Sequence, residues 1–137
     1  MINLLLKMEF ELKIELNASP DVVYNAYLNS KEHTVMTGGE AKITPFVGAE
    51  FSAWDEYILG KNMELIPNQY IKQSWRTSDF PFLQHYSIVE INLQPLPNNR
   101  TLFKLKHSEL EEKDIHYKQG WIEYYFEPME LYFNQRN

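Results

Sequence analysis

The chain has 137 residues, 44% of them hydrophobic and 15% aromatic, which suits one well-buried core and argues against disorder. Its net charge of −6 argues against nucleic acid and against an anionic membrane surface, both of which select clustered lysine and arginine. With no cysteine, disulfides, thiolate metal sites and a cysteine nucleophile are excluded.

The first residues, Met1 to Lys7, hold too short an apolar run for a signal peptide and no basic leader. No run approaches membrane-spanning length, so a cytoplasmic protein is expected. The regular pattern starts at Met8, which competes with Met1 as the natural start. Residues 9–16 alternate charged and apolar, predicting a strand that buries Phe10, Leu12, Ile14 and Leu16. Ser19-Pro20-Asp21 then opens a helix: Ser19 as cap, Pro20 in the first turn, Asp21 at the positive end of the dipole. Val22, Val23, Ala26 and Tyr27 form its apolar stripe. Ser30 reads as the cap of a second short helix that ends before Gly38-Gly39, a glycine pair read as a turn rather than an anion cradle.

From residue 41 to 107 the signals are strand and turn. Ala41–Thr44 is a short predicted strand. Glu50–Trp54 and Tyr57–Ile66 form a hairpin around Asp55-Glu56, with Gly60 marking a bulge or a close backbone approach. Tyr70–Arg76 is the next strand, followed by a loop over Thr77–Leu83. His85–Leu93 and Thr101–His107 pair across the Pro95–Asn99 turn. The acidic run Glu109, Glu111, Glu112 and Asp114 reads as a solvated linker.

The last segment, opening at Gly120, is a helix. At roughly 100° per residue it gathers Trp121, Ile122, Tyr125, Phe126, Met129, Tyr132 and Phe133 on one face. Tyr124 and Leu131 fall off that face, a place for a partner or a second copy. Pro128 removes the hydrogen bond to the Tyr124 carbonyl and predicts a bend.

Several stretches together resemble a known family. They are Ala18-Ser19-Pro20-Asp21-Val22-Val23-Tyr24, Gly48-Ala49-Glu50-Phe51-Ser52, Ile58-x-Gly60-x3-Glu64-x2-Pro67, Trp75-Arg76, Thr101-x-Phe103-x-Leu105-x-His107 and Gly120-Trp121. In this order they resemble the START-like (SRPBCC, Bet v 1-like) helix-grip superfamily, in the branch named after the activator of heat-shock protein 90 ATPase. The resemblance covers essentially the whole chain, 1–137, as a single domain. It implies an α+β fold in which a curved antiparallel sheet of six to seven strands grips the C-terminal helix, with a pocket between them. Superfamily members carry lipids, plant hormones or polyketide-like molecules there, and a few are cyclases or dehydratases. In the eukaryotic activator a separate domain precedes this one and engages the chaperone. The 137 residues contain no counterpart to it, which turns the expectation from a co-chaperone towards a carrier of a small lipophilic molecule, without cofactor.

Phe51, Trp54, Tyr57, Met63, Trp75, Phe103, Trp121, Tyr125 and Met129 are the candidate walls of such a pocket: large flat or flexible side chains with few polar tips. The plainer alternative is that they fill a solid core. Buried hydroxyls on Tyr57 and Tyr125 require water or polar neighbours. His107, inward beside Phe103 and Leu105, is a tenth candidate, as a hydrogen-bonding group, as the acid or base of an enzyme, or as an anchor of the strand end. No catalytic motif is present, and His33, His85, His107 and His116 lack metal-ligand spacing.

Overall fold

The computed structural model describes residues 7–135; the N-terminal run up to Leu6 considered as a leader, and Met1, lie outside the described residues. Strand β1 (Met8–Leu16) is followed by helices α1 (Pro20–Tyr27) and α2 (Ser30–Thr37), then β2 (Glu50–Ala53), β3 (Ile58–Ile66), β4 (Tyr70–Thr77), β5 (Ser87–Leu96) and β6 (Arg100–Leu110). The C-terminal helix is composite: a 3-10 turn (Glu112–Ile115), α3 (His116–Trp121), a π turn (Ile122–Phe126) and α4 (Glu127–Gln135). The strands form one antiparallel sheet in the order β1-β6-β5-β4-β3-β2. This is the expected α+β helix-grip architecture, with six strands. No helix of the described residues is long and apolar enough to cross a membrane.

The alternation in β1 buries Phe10 and Leu16 fully and leaves Leu12 and Ile14 half-buried, opposite Leu105 and Phe103 of β6. From the other side of the core, the C-terminal helix buries Trp121, Tyr125, Phe126, Met129 and Phe133. Each such side chain contributes roughly 1.5–3 kcal/mol when fully withdrawn from water, so the helix face is a principal term in stability.

Four local expectations are corrected. The predicted strand Ala41–Thr44 is reduced to one bridge, Lys42 with Ser52. Hydroxyls of α2 take the neighbouring backbone groups: Ser30 Oγ accepts from Ile43 N–H at 2.8 Å, and Thr34 Oγ1 from Ala41 N–H at 2.9 Å. Second, with Ser30 so engaged, Asn29 caps α2, its side chain accepting from Glu32 N–H at 2.8 Å; Ser19 makes no cap bond and turns its hydroxyl to Asp21. Third, Gly120 does not open the last helix but lies inside it, eight residues after Glu112, where the 3-10 turn begins under a reciprocal Glu111–Asp114 capping box. Fourth, the acidic run is only partly solvated. β6 continues through buried Leu110, and Asp114 is buried, accepting from Glu111 N–H, Gln84 Nε2 and Lys113 Nζ.

Two histidines pin the composite helix from within. Trp121 Nε1–H donates to His107 Nδ1 at 3.0 Å, which leaves the proton on Nε2, 2.9 Å from Ser87 Oγ; that hydroxyl in turn donates to the Trp75 carbonyl at 2.7 Å. His33 has the opposite tautomer. Its Nδ1 is 2.7 Å from the Tyr27 carbonyl, an acceptor only, so Nδ1 carries the proton and Nε2 accepts from Tyr125 Oη at 2.9 Å. Burial lowers the pKa of both, and takes His107 down to about 3 despite the opposing charge of Asp114.

Gly60 lies where β3 passes closest to its neighbours: a Cβ there would sit 1.9 Å from the Ser74 carbonyl oxygen and 2.5 Å from the Phe51 ring. Gly60→Ala should therefore cost about 2 kcal/mol or more, whereas Gly120→Ala, meeting no atom within 4 Å, should gain about 0.5–1 kcal/mol. Urea unfolding of the two variants checks both signs. The neutral histidines set a pH dependence. A histidine with a depressed folded pKa stabilises fully above its unfolded pKa of ~6.5, and that stability is lost as pH falls towards the folded value. For His107 alone the loss is ~1.4 kcal/mol per pH unit over the window below ~6.5. Urea midpoints at three pH values between about 7 and 5 should fall accordingly; a flat profile would overturn the neutral-pin account.

Candidate functional site

Between the β2–β3 turn and the C-terminal helix the structure opens a cleft of about 560 Å³. The sheet side supplies Trp54, Tyr57, Ile58 and Trp75; the helix side supplies Tyr117, Trp121, Tyr124 and Tyr125, with His116, Gln119, Gly120 and Glu123 completing it. All three tryptophans of the chain therefore meet at one hollow.

The sequence places these rings for local reasons. The β2–β3 turn runs through Trp54, Asp55 and Glu56, all with positive φ (52°, 58° and 70°), which brings Trp54 and Tyr57 round to the sheet's end. Trp54 lies against Gly39, where an added Cβ would come within 2.4 Å of the indole, so the second glycine after α2 serves as its seat. Trp75 is the penultimate inward residue of β4, after Ile71 and Gln73.

Two of the ring pairs stand edge to face. Trp75 meets Tyr117 at 5.0 Å and 83°, and Trp54 meets Tyr124 at 5.5 Å and 74°. Trp121 packs on Tyr125 at 4.6 Å. Four of the polar tips are held elsewhere: Tyr57 Oη donates to Asp79 at 2.6 Å, Tyr117 Oη lies 2.5 Å from Thr77 Oγ1, and Tyr125 and Trp121 bond to the two histidines, while the Trp54 Nε1–H is buried without a partner. Burial, reinforced at Tyr57 by the Asp79 carboxylate, raises the pKa of Tyr57, Tyr117 and Tyr125, so these phenols stay protonated.

Of the ten residues singled out from the sequence, Trp54, Tyr57, Trp75, Trp121 and Tyr125 line the cleft. Phe51 lies buried under Gly60; Phe103 packs on Phe126 at 5.7 Å; Met129 is fully buried. Met63 is 43% exposed, at the register shift between Asn62 and Glu64. His107 has no exposed surface, and both its ring nitrogens are engaged inside the core, so no proton on it reaches a substrate. Sequence reasoning missed the helix turn from His116 to Gln119 because it started the helix at Gly120; the i, i+4 spacing of Tyr117 and Trp121 was the available signal. It also set Tyr124 aside for a partner, whereas that ring, 53% exposed, forms part of the lining. The described residues contain no cluster of His, Asp and Glu able to hold a metal ion.

Comparison with known proteins places this geometry. The family profile described as "Activator of Hsp90 ATPase homolog 1-like protein" matches residues 17–134. A mouse relative, "Activator of 90 kDa heat shock protein ATPase homolog 2", is 36% identical over 55 residues, which is 40% of this chain and only 16% of that protein. Among solved structures, an HSP90 activator from Plasmodium falciparum superposes with a TM-score of 0.82 at 25% identity, over 93% of this chain and 96% of its own. The Aha1 dimer from Colwellia psychrerythraea gives 0.74 at 16% identity, over 89% and 93%, and shares the fold. With the profile running from the end of β1 to the last turn of α4, the chain belongs to the family of Activator of Hsp90 ATPase homolog 1-like proteins.

Proposed function

We propose that the chain binds a small, largely apolar molecule, without chemical turnover, in the cleft between the β2–β3 turn and the C-terminal helix. The observation that carries this reading is the convergence of Trp54, Trp75 and Trp121 on one hollow of about 560 Å³, a size within the range of small-molecule sites. Their indoles report directly on occupancy. Addition of 1-methylnaphthalene should change the tryptophan emission saturably, and native mass spectrometry of freshly purified protein should show a co-purifying small molecule. Gly120→Phe should weaken the probe at least tenfold while the protein stays folded, since a side chain at Gly120 enters open space at the lining. Unchanged affinity in that variant would refute the site.

A second reading, engagement of an Hsp90-type chaperone, draws on the family and on the likeness to the Plasmodium activator. One surface favours it. In the loop after β4, Phe82 is 93% and Leu83 86% exposed, while the loop itself is held by Arg76, which donates to the carbonyls of Phe80, Pro81 and Gln84. Two bare apolar side chains on a pinned loop suit a protein contact. Stoichiometric addition of the chain should raise the ATPase rate of an Hsp90, and the double variant Phe82→Ser, Leu83→Ser should lose most of that gain. No stimulation by the unaltered chain would remove this reading.

A further inference from the structure

The cleft lining is one-sided in charge. Glu123 is its one carboxylate, Oε1 accepting from Gln119 Nε2 at 3.2 Å, and no lysine or arginine belongs to it. His116, its Nδ1 3.1 Å from the Lys113 carbonyl, is the lining's one imidazole. A second carboxylate, Asp79, accepts from the hydroxyl of the lining residue Tyr57. The phenol proton of Tyr57 is thus directed to Asp79, away from a ligand.

The walls act in the same sense. An aromatic face carries the negative lobe of the ring quadrupole and attracts cations, tryptophan most strongly. Rings set near 83° and 74° to one another, as in the Trp75–Tyr117 and Trp54–Tyr124 pairs, present faces and edges from several directions around one volume. A carboxylate-bearing ligand would find no lysine or arginine there and would meet Glu123. The net charge of −6 adds a long-range field of the same sign.

We propose that the ligand of this cleft is a hydrophobic organic cation, an aromatic or alkyl-substituted ammonium or ring-nitrogen cation, held by the open aromatic rings of the lining, Trp54, Tyr57 and Tyr124, with Glu123 as counter-ion. The inference rests on the ligand-binding reading above and narrows its chemistry. Three probes of nearly one shape test it: N-methylquinolinium, its neutral isostere 1-methylnaphthalene, and the anion 1-naphthoate, each titrated into the whole protein while the three indole N–H resonances are followed. The cation should bind at least tenfold more tightly than the neutral probe, and the anion most weakly. Glu123→Gln should narrow the preference for the cation over the neutral probe several-fold, and added salt should do the same. Equal or tighter binding of 1-methylnaphthalene would overturn the charge preference and leave the cleft assignment standing. Absence of indole shifts with all three probes would overturn both.

Discussion

The hydrogen-bonded chain Trp121–His107–Ser87–Trp75 fixes the C-terminal helix against the sheet, and the cleft depends on it. Each link uses a group that neutral imidazole supplies once: Nδ1 accepts the indole N–H and Nε2–H goes to the serine. A second proton on the ring would face an indole donor inside the core, which is why burial and geometry act together to keep it off. Loss of His107 would strand the Trp121 N–H and the Ser87 hydroxyl, each unsatisfied buried group costing about 1–3 kcal/mol. The ring is also packed by Trp75 at 4.5 Å and by Phe10 at 5.4 Å. The pin therefore joins β1, β4, β5, β6 and the helix at one point.

Pro128 sets where the helix is distorted, and the second pin, His33, holds that distortion in place. Pro128 has no N–H for the Tyr124 carbonyl, and the turn before it widens: Glu127 N–H reaches back to the Ile122 carbonyl, five residues away. That π turn contains Tyr124 and Tyr125. In the widened turn the two adjacent rings serve different neighbours, Tyr124 meeting Trp54 at the cleft mouth and Tyr125 donating to His33 in the interior. The bend expected at Pro128 takes the form of this widened turn. His33 holds it by tying Tyr125 to the C-terminal carbonyl of α1.

Much of this was legible in the sequence where a single period governs. The alternation of β1, the proline in the first turn of α1, the hairpin around Asp55 and the close approach at Gly60 all follow from local rules, and the structure has them. What was not legible depends on partners distant in sequence. Ser30 looks like a cap until Ile43 claims its hydroxyl; Asp114 looks solvated until Gln84, thirty residues away, donates to it. Ten aromatic, methionine and histidine positions were visible as inward or flat, but the pattern cannot give depth. Phe103 and Met129 carry the same signal as Trp75 and Trp121 yet lie in the solid part of the core. Met63 fails differently: the inward set of β3 is Ile58, Gly60 and Asn62, and the register shift after Asn62 leaves Met63 outside.

A hollow among so many aromatic side chains needs a cause, because rings free to pack would fill it. Here four of the lining rings are tethered by their polar ends to fixed points around it. Tyr57 is held by Asp79, Tyr117 by Thr77, Trp121 by His107 and Tyr125 by His33. Collapse into the space would break one of these bonds, three of which are buried, at a cost comparable to the stabilisation that closer apolar packing would bring. Gly120, where an added Cβ would meet no atom within 4 Å, leaves part of that space unfilled. The cleft is thus kept open by the same bonds that fix the helix. A ligand entering it would meet walls already in position, and little of its binding energy would go into ordering them.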